Sequence, residues 1–377
     1  MDIPFADFLL ARYASRRARA AGGVAALETL DIANLSRVLL VLTTGLGDAV
    51  LSSPVFPAMR AALPRADIRL FARRAWASLF SADPDLSGIV PYHGKYRRFF
   101  ATLATLRDFS PQLTVILHGN DPDIIPIVLL AGSRWIVRVP TQGTRYAQFL
   151  SNRDRQADAR TVAGWHYVEN RLRVLDTLGI ARATDTPRIV IAPDQRARAA
   201  NQIAARVGGR RYWVYHAFAA DAYKVWPASK AQPFLVRALA EFPDCALVLT
   251  GSGKERDALL RLAAGLDSSR VLVLAGEQPI EETAATLAGA ACAVAPDTGV
   301  LHLAAALGVP VVGLYAPTFA ALVGPRTAGA RSAVIQKPQT CSPCVEKKCP
   351  YVPDNCMRQI AVDEVLAALG PALREAQ

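Results

Sequence analysis

Two kinds of hydrophobic pattern alternate along the chain. Short apolar runs, typical of strands buried on both faces of a parallel sheet, are separated by longer stretches with apolar residues at helical spacing. The clearest runs cover residues 37–42, 68–71, 88–91, 113–117, 135–139, 212–216, 246–250, 271–274, 290–294 and 311–315. Because parallel strands need crossover connections, this alternation predicts an α/β protein.

The length divides this pattern into domains. A chain of 377 residues exceeds the usual size of one domain, and 52% apolar residues can supply two large cores. We expect a basic N-terminal extension at 1–35, a doubly wound α/β domain at 36–190 and a second α/β domain at 191–377. The last of these includes a cysteine-rich loop at 341–356. Ligands of such domains bind at the carboxyl ends of the strands, so the loops there are the first candidates for a site.

One such loop lies within residues 293–318, AVAPDTGVLHLAAALGVPVVGLYAPT. Its two apolar runs flank a helix predicted at 298–307, and Asp297, Thr298 and Gly299 lie where the first strand meets this helix. Free backbone N–H groups and the positive end of the helix dipole favour an anion there, typically a phosphate. His302 lies one turn further along. A plain helix cap and a core histidine are equally compatible with the pattern.

A second loop, TTGLGD at 43–48, follows the first strand and opens a helix predicted to end near residue 64. It lacks the third glycine of a dinucleotide fingerprint and the Gly-Lys-Ser/Thr of a P-loop. It does place the Asp48 carboxylate at a helix N-terminus, where the helix dipole stabilises negative charge. Asp48 is therefore a candidate general base, with helix capping as the alternative.

Two more polar residues follow strands of the second predicted sheet. Lys224 comes after the run at 212–216, and Glu255 lies in the turn GSGKE after the run at 246–250. With Asp297 they would line one edge of the sheet, where Lys224 could neutralise a phosphate and Glu255 could accept from ribose hydroxyls. Taken singly, each is an ordinary surface residue.

The net charge of +11 favours acidic partners such as nucleic acid, anionic lipid or phosphorylated substrates. Aromatic residues are not interleaved with the basic clusters, which argues against a nucleic-acid module. The first twenty residues, MDIPFADFLLARYASRRARA, predict a basic amphipathic helix that either lies on an anionic membrane or packs on the first domain. Their apolar part precedes the basic part, the reverse of a secretory signal, and no apolar run is long enough to span a membrane. We therefore expect a cytoplasmic protein.

Two of the six cysteines, Cys245 and Cys292, fall in apolar runs and are expected to be inert core thiols. The other four cluster near the end of the chain: Cys341, Cys344, Cys349 and Cys356. In a cytosolic chain such a cluster indicates a structural metal site or an oxidisable pair more than disulfides. Reduced thiols that pack an irregular loop are the alternative.

Several motifs, in order along residues 36–366, resemble those of glycosyltransferase family 9, the heptosyltransferases of lipopolysaccharide core synthesis. The sequences that carry the resemblance are TTGLGDAVLSSPVFPAMRAALP at 43–64, the strand ending in His118-Gly119-Asn120, HYVENRLRVLDTLGI at 166–180, Lys-x-Trp-Pro at 224–227, the glycine-rich turn with Glu255, DTGVLHLAAALGVPVVGLYAPT at 297–318, and the cysteine cluster from CSPC at 341–344 to Met357.

The resemblance implies a GT-B fold, with two Rossmann-like α/β/α domains facing a central cleft. It implies inverting transfer of a heptose from ADP-heptose to a hydroxyl of a lipopolysaccharide core or related glycan, without a required cofactor. Asp48 matches the general base. The donor contacts would be Thr44, Gly45, Gly47, Lys224, Glu255, Asp297, Thr298, Gly299 and His302. We expect an anionic acceptor on the first domain, at His118, Asn120 and Arg145, and peripheral contact with the inner membrane.

The chain departs from the family pattern in its N-terminal extension of about 35 residues, in the stretch AFAADAY before Lys224, which lacks small hydroxyl residues, and at three single positions. Gly45 stands where a serine is usual, Leu301 replaces the common serine before His302, and Ala316 replaces a glycine. These differences keep open a transferase for another nucleotide sugar or for a non-lipopolysaccharide acceptor. A non-catalytic nucleotide- or nucleic-acid-binding protein is the remote alternative, and the missing third glycine disfavours a nucleotide-dependent oxidoreductase.

Overall fold

The computed structural model of the chain describes residues 5–20, 23–141, 146–154, 164–329, 331–337, 341, 344, 349, 351 and 355–375. The chain forms two compact units, Met1–Asp185 and Thr186–Gln377. In each unit the described strands form a parallel sheet with helices packed on it, so the predicted α/β fold class is confirmed. Within the described residues, no helix is both long and apolar enough to cross a bilayer.

The sheet of the first unit has the strand order β3-β2-β1-β4-β5 in the described part of the chain. Its strands are β1 (Arg37–Leu42), β2 (Asp67–Arg73), β3 (Gly88–Tyr92), β4 (Leu113–His118) and β5 (Trp135–Arg138). The helices are α1 (Phe5–Ala20), α2 (Leu46–Ser52), α3 (Val55–Ala62), α4 (Phe99–Phe109), α5 (Ile124–Leu130) and α6 (Tyr167–Leu178). The chain order reverses between β1 and β4, which makes their carboxyl ends the switch point where ligands of such sheets bind.

The sheet of the second unit has the order β11-β10-β9-β6-β7-β8 among its described strands. These are β6 (Arg211–His216), β7 (Cys245–Thr250), β8 (Val271–Val273), β9 (Ala293–Pro296), β10 (Val311–Tyr315) and β11 (Ser332–Gln336). The helices are α7 (Pro193–Val207), α8 (Ala228–Glu241), α9 (Arg256–Ala263), α10 (Ile280–Ala288), α11 (Gly299–Ala306), α12 (Ala320–Val323) and α13 (Val362–Glu375). Here the order reverses between β6 and β9, so Lys224 and Asp297 both follow switch-point strands.

Several predicted boundaries were wrong. The helix after β1 is two helices, because Pro54 has no N–H to continue α2 and instead precedes α3. The helix predicted from residue 162 begins only at Tyr167, where the His166 ring accepts from the Val168 N–H at 3.2 Å. Strand β9 includes Pro296, which the sequence pattern placed at its stop. Strand β11 was missed, and α13 runs past its predicted end at residue 369.

The N-terminal extension contains α1, which packs along α5 and buries Ala14 in the core of the first unit. Asp7 at its start is buried and contacts the Tyr96 hydroxyl, while Lys95 Nζ lies 3.5 Å from its carboxylate. The reading in which this helix packs on the first domain is therefore confirmed for its inner face.

Candidate functional site

In the first unit, polar side chains converge on Asp48 at the switch point between β1 and β4. Asp48 lies in the first turn of α2, behind Gly45, whose extended backbone begins the helix. The Asp48 carboxylate is 27% exposed, so it reaches solvent without being free to move. Its Oδ1 is 3.3 Å from an Arg171 guanidinium nitrogen and 3.7 Å from His118 Nε2, and its Oδ2 accepts from the Thr44 hydroxyl at 3.4 Å.

The Arg171 guanidinium is the strongest charge beside Asp48. It comes from α6 and is 7% exposed, and its Nε has no hydrogen-bond partner among the described residues. Burial lowers the pKa of Arg171, and the Asp48 carboxylate opposes that shift. A buried guanidinium with few alternative partners keeps its geometry, so Arg171 fixes the direction of the Asp48 carboxylate.

The His118 ring completes this group. Burial, and next the positive charge of Arg171, lower the pKa of His118 to about 4, although Asp48 acts in the opposite sense. The ring is therefore neutral at pH 7, and its Nδ1 hydrogen-bonds with the Thr44 hydroxyl. The Thr44 hydroxyl has one hydrogen, which it can donate either to His118 or to Asp48. The hydrogen bonds among these three residues are therefore coupled.

Further basic side chains stand at the same edge of the sheet. Arg138 at the end of β5 donates to Asn120 Oδ1 at 2.9 Å, and burial followed by repulsion from Arg171 lowers its pKa to about 10. Arg73 at the end of β2 donates to the Thr43 carbonyl at 2.9 Å. An open pocket of about 420 Å³ adjoins them, lined by Thr44, Gly45, Arg73, Trp76, Asn120 and Asp121. The edge is thus suited to an anionic, hydroxyl-bearing ligand.

In the second unit, Asp297 joins the residues that follow β6, β9 and β10. Asp297 Oδ2 lies 2.7 Å from Lys224 Nζ and accepts from the Thr318 hydroxyl at 2.8 Å, while its Oδ1 is 3.5 Å from His302 Nε2. Burial alone would raise the pKa of Asp297, but the hydrogen bond from His302 and the charge of Lys224 bring it to about 2. Asp297 therefore holds Lys224 as a fixed cation at the start of α11.

The N-terminus of α11 is built as the sequence predicted. Thr298 is the N-cap, and its hydroxyl accepts from the Leu301 N–H at 3.4 Å. Thr298 and Gly299 are half-buried, so the first turn of the helix reaches the surface, whereas His302 is buried and its Nδ1 has no partner among the described residues. A cation, the first N–H groups of the helix and the helix dipole would together favour an anion at this position, so the phosphate contact stays a prediction.

Glu255 lies after β7 in a capping box, its Oε2 accepting from the Ser252 N–H at 2.6 Å and from the Ser252 hydroxyl at 2.9 Å. Its charge reaches His216 at the end of β6, partly opposing the burial that lowers the pKa of that ring. The capping function is thus observed, and the ribose contact remains a prediction. Gly47 lies within α2 beside Asp48.

Two further sets of predicted residues are Arg145 and the four clustered cysteines. Arg145 lies outside the described residues. The metal expected on Cys341, Cys344, Cys349 and Cys356 is not supported, since no three His, Cys, Asp or Glu side chains in the described ranges are placed to hold a metal ion. The Cys344 N–H donates to the Pro317 carbonyl at 2.7 Å, which places Cys344 beside the segment that follows β10.

Sequence reasoning missed Arg171, Arg138 and Thr318. The signal for Arg171 was present, because Val168, Arg171, Leu172 and Leu175 occupy one helical face with an arginine among apolar residues. Thr318 lies three residues after the end of β10, in the same motif as Asp297. Arg138 ends a buried strand and gave no signal beyond its position.

Comparisons with known proteins agree on the class. The chain is 29% identical over 349 residues to lipopolysaccharide heptosyltransferase 1 of Pseudomonas aeruginosa, covering 86% of this chain and 90% of the relative. The structure of the family 9 glycosyltransferase of Veillonella parvula superposes with a TM-score of 0.71 at 16% identity, covering 92% of this chain and 100% of that one. ADP-heptose lipopolysaccharide heptosyltransferase II of Escherichia coli gives 0.68 at 19% identity, with coverages of 90% and 99%. Fold and comparisons together define a glycosyltransferase of GT-B architecture.

The family can be stated as well. The family model described as glycosyltransferase family 9 (heptosyltransferase) matches residues 133–353, more than half of the chain. The chain belongs to glycosyltransferase family 9.

Proposed function

We propose that the protein transfers a heptose from ADP-heptose to a hydroxyl of a lipopolysaccharide core or related anionic glycan, with inversion at the anomeric carbon. The names of the similar proteins support this donor and this pathway. The single observation that carries the proposal is a partly exposed carboxylate, Asp48, held by Arg171 and His118 at the switch point of the first unit.

Asp48 acts as the general base. Arg171 and His118 both face Oδ1 of Asp48. Its Oδ2 has one described contact, the long hydrogen bond from the Thr44 hydroxyl, and is therefore left to accept a proton. The acceptor hydroxyl gives its proton to Asp48 as its oxygen bonds to the anomeric carbon, and the bond from that carbon to the diphosphate breaks. One displacement from the opposite side inverts the anomeric centre.

The second unit stabilises the leaving group. Lys224, charged and fixed by Asp297, and the first turn of α11 after Thr298 would receive the diphosphate as its negative charge grows. One of the three Lys224 ammonium hydrogens is donated in a hydrogen bond to Asp297, which leaves two that can be donated to phosphate oxygens. This scheme needs no cofactor. Glu255, Gly299, Gly45 and Gly47 are further donor contacts in the proposal.

The acceptor is expected to be anionic. Arg73 and Arg138 stand at the edge of the sheet that carries Asp48, with Asn120 between the pocket and Arg138. Phosphate or carboxylate groups on a core glycan would meet these guanidinium groups. Such acceptors are attached to membrane lipid, so the proposal includes peripheral membrane contact.

The test is a donor screen in which released nucleotide is measured for ADP-, UDP- and GDP-sugars with a core glycan acceptor. We expect the largest release from ADP-heptose and a product of inverted configuration by NMR. Greater release from another nucleotide sugar would replace the donor and keep the transferase.

Asp48→Asn tests the base. We expect kcat to fall by roughly 10²–10⁴-fold, the usual contribution of a general base, with the ADP dissociation constant unchanged. Asp121→Asn, at a carboxylate that lines the pocket beside Thr44 and Gly45, is the matched control and should lose far less. An Asp48→Asn enzyme with normal kcat would remove Asp48 from the mechanism.

A further inference from the structure

The outer face of α1 carries large apolar and basic side chains side by side. Phe8, Leu9 and Tyr13 are about half exposed, at 50%, 47% and 50%, although apolar residues usually turn inward in a helix packed on a core. Arg12, Arg16 and Arg17 are exposed on the same helix. At about 100° per residue these six side chains share one face, here called the α1 face. The described side chains of this face include no acidic group.

The orientation of α1 is fixed from its other side. Asp7 is 1% exposed and meets the Tyr96 hydroxyl and Lys95, and its backbone carbonyl accepts from the Tyr146 hydroxyl at 3.3 Å. Ala14 and Leu10 pack on the core of the first unit. A helix held by a buried carboxylate and a core contact cannot roll to hide Phe8, Leu9 and Tyr13, so their exposure is built into the fold.

The segment that leads into α4 contacts the start of α1. Lys95 and Tyr96 bind Asp7, which directly precedes Phe8, and are followed by exposed Arg97 and Arg98 and by Phe100, which is 82% exposed. Tyr96 and Arg98 adopt positive φ angles of 59° and 52°, an unfavourable conformation for non-glycine residues, to make this turn.

The local potential at this corner is positive. After slight burial, the charges of Arg98, Arg74 and Arg97 lower the pKa of the half-buried His93 ring, which follows β3. The α1 face and the segment around Phe100 therefore both combine exposed apolar side chains with exposed cations.

We propose that the α1 face and the Phe100 corner form a docking surface for a bilayer that contains anionic phospholipid. Phe8, Leu9, Tyr13 and Phe100 would enter the boundary between headgroups and acyl chains, while the arginines pair with lipid phosphates. This surface deepens the peripheral membrane contact of the proposed function, and it is independent of the donor and of the catalytic base.

Other occupants fit less well. A second copy docked face to face would bring Arg12, Arg16 and Arg17 of both copies together, which is repulsive. A nucleic-acid strand needs a groove with bases stacked on aromatic rings, whereas an outward helix face offers a convex surface with an aliphatic Leu9 at its centre. A bilayer accepts a convex face and satisfies both kinds of side chain.

Co-sedimentation of the full chain with vesicles tests the surface. The vesicles are phosphatidylcholine with 30% phosphatidylglycerol, or phosphatidylcholine alone, without glycan acceptor or sugar nucleotide. We expect binding to the anionic vesicles that weakens in high salt. Arg12→Glu/Arg16→Glu/Arg17→Glu should bind at least about 100-fold more weakly, and Phe8→Ser/Leu9→Ser/Tyr13→Ser at least about tenfold more weakly.

Matched controls are the exposed residues of the second unit. Val236→Ser/Leu260→Ser and Arg198→Glu/Arg206→Glu/Arg261→Glu change similar side chains there and should bind nearly as the unaltered chain does. Circular dichroism of every variant checks folding. Tyr13→Trp gives a readout that does not depend on whether the triple variants fold. Its fluorescence should shift to the blue with anionic vesicles only.

Three results would overturn the proposal: equal binding to both vesicle types, equal loss in the control variants, or tighter binding of single-stranded RNA than of anionic vesicles at matched salt. Failure of the proposed function is separable. Asp48→Asn should bind vesicles normally, and a protein without heptose transfer can still bind them. Loss of vesicle binding with intact transfer to a soluble glycan would leave the proposed function standing.

Discussion

At the level of single residues, the group around Asp48 shows how a buried cation can fix the orientation of a partly exposed carboxylate. Arg171 approaches Asp48 from α6, and its only described acceptor there is the carboxylate itself. Thr44 and His118 complete the contacts from the ends of β1 and β4. Arg171, Thr44 and His118 together thus hold the carboxylate in one orientation.

Arg171→Met tests this positioning role. Without the guanidinium, Asp48 can rotate, and we expect kcat to fall by about 10–100-fold, since small displacements of a catalytic group have effects of that size. ADP affinity and KM for the donor should change little, and Arg171→Lys should recover part of the activity. A kcat unchanged after correction for the folded fraction would show that Arg171 only fills space.

His118 gives a pH-dependent stability. Its pKa lies near 4 in the folded chain against 6.5 normally, because it is buried and beside Arg171. Between these values the unfolded chain binds more protons, so this contribution is complete above pH 6.5 and is lost as the pH falls toward 4, by at most roughly 3 kcal/mol. His118→Asn should show a shallower loss of unfolding free energy over that window in urea titrations. A difference between the two proteins that stays constant with pH would contradict this.

At the level of elements, the turns that carry site residues depend on close backbone contact. Gly276, after β8, has a φ of +71°, and a Cβ on it would lie 2.5 Å from the Cα of Gly253 in the turn that ends at Glu255. The Gly276 N–H also donates to the Gly251 carbonyl at 3.0 Å. Only glycine allows the two turns to approach so closely.

Gly276→Ala is therefore expected to lower the unfolding free energy by about 2–4 kcal/mol, from backbone strain and the clash together. Gly265→Ala is the matched control, because Gly265 has a similar φ of +78° but open space around its Cα, and only about 1 kcal/mol is expected. Equal losses in chemical denaturation would show that the contact with Gly253 is unimportant.

The elements also show what sequence patterns can predict. Strands such as β1 and β7 were evident because residues 38–42 and 245–249 are all buried and apolar. Strand β11 escaped because it lies at the edge of its sheet, with exposed and half-buried residues in turn. Helix α13 was predicted to end at residue 369, yet it continues through Pro371. The carbonyl that Pro371 leaves without a donor belongs to Ala367 on the exposed side, where water can bind it.

The residues of the candidate site also fall into those that sequence patterns indicate and those that depend on tertiary packing. Asp48, Thr298 and Gly299 could be proposed as site residues because a loop between a strand and a helix has a fixed position in an α/β fold. The apolar face of α6 marks Arg171 as a buried arginine, but its pairing with Asp48 depends on where α6 packs, which is a tertiary fact. The cysteine spacing suggested a metal, but spacing does not fix where thiols point.

At the level of the whole molecule, each unit has a core of its own. In the second unit, α13 returns from the end of the chain to pack on α8, β10 and β11, and Val365, Leu366 and Leu369 are buried in the same cluster as Phe234. In the first unit, Leu106 of α4 has the corresponding place in the core.

Leu369→Ala and Leu106→Ala are a matched pair for testing this independence. Each should lower stability by about 2–5 kcal/mol, the usual effect of emptying a buried leucine site. Hydrogen exchange should then show faster exchange of β10 amides in the first variant and of β1 amides in the second. Equal acceleration in both units for either variant would indicate one cooperative core.

The proposed base Asp48 lies before the junction between residues 185 and 186. The residues from 224 onward that are assigned to the sugar nucleotide lie after it. Hybrid genes recombined at that junction would pair the base of one enzyme with the diphosphate-binding residues of another. Because the donor contacts proposed at Gly45 and Gly47 stay with the first half, such hybrids would show how much each half contributes to the choice of sugar nucleotide.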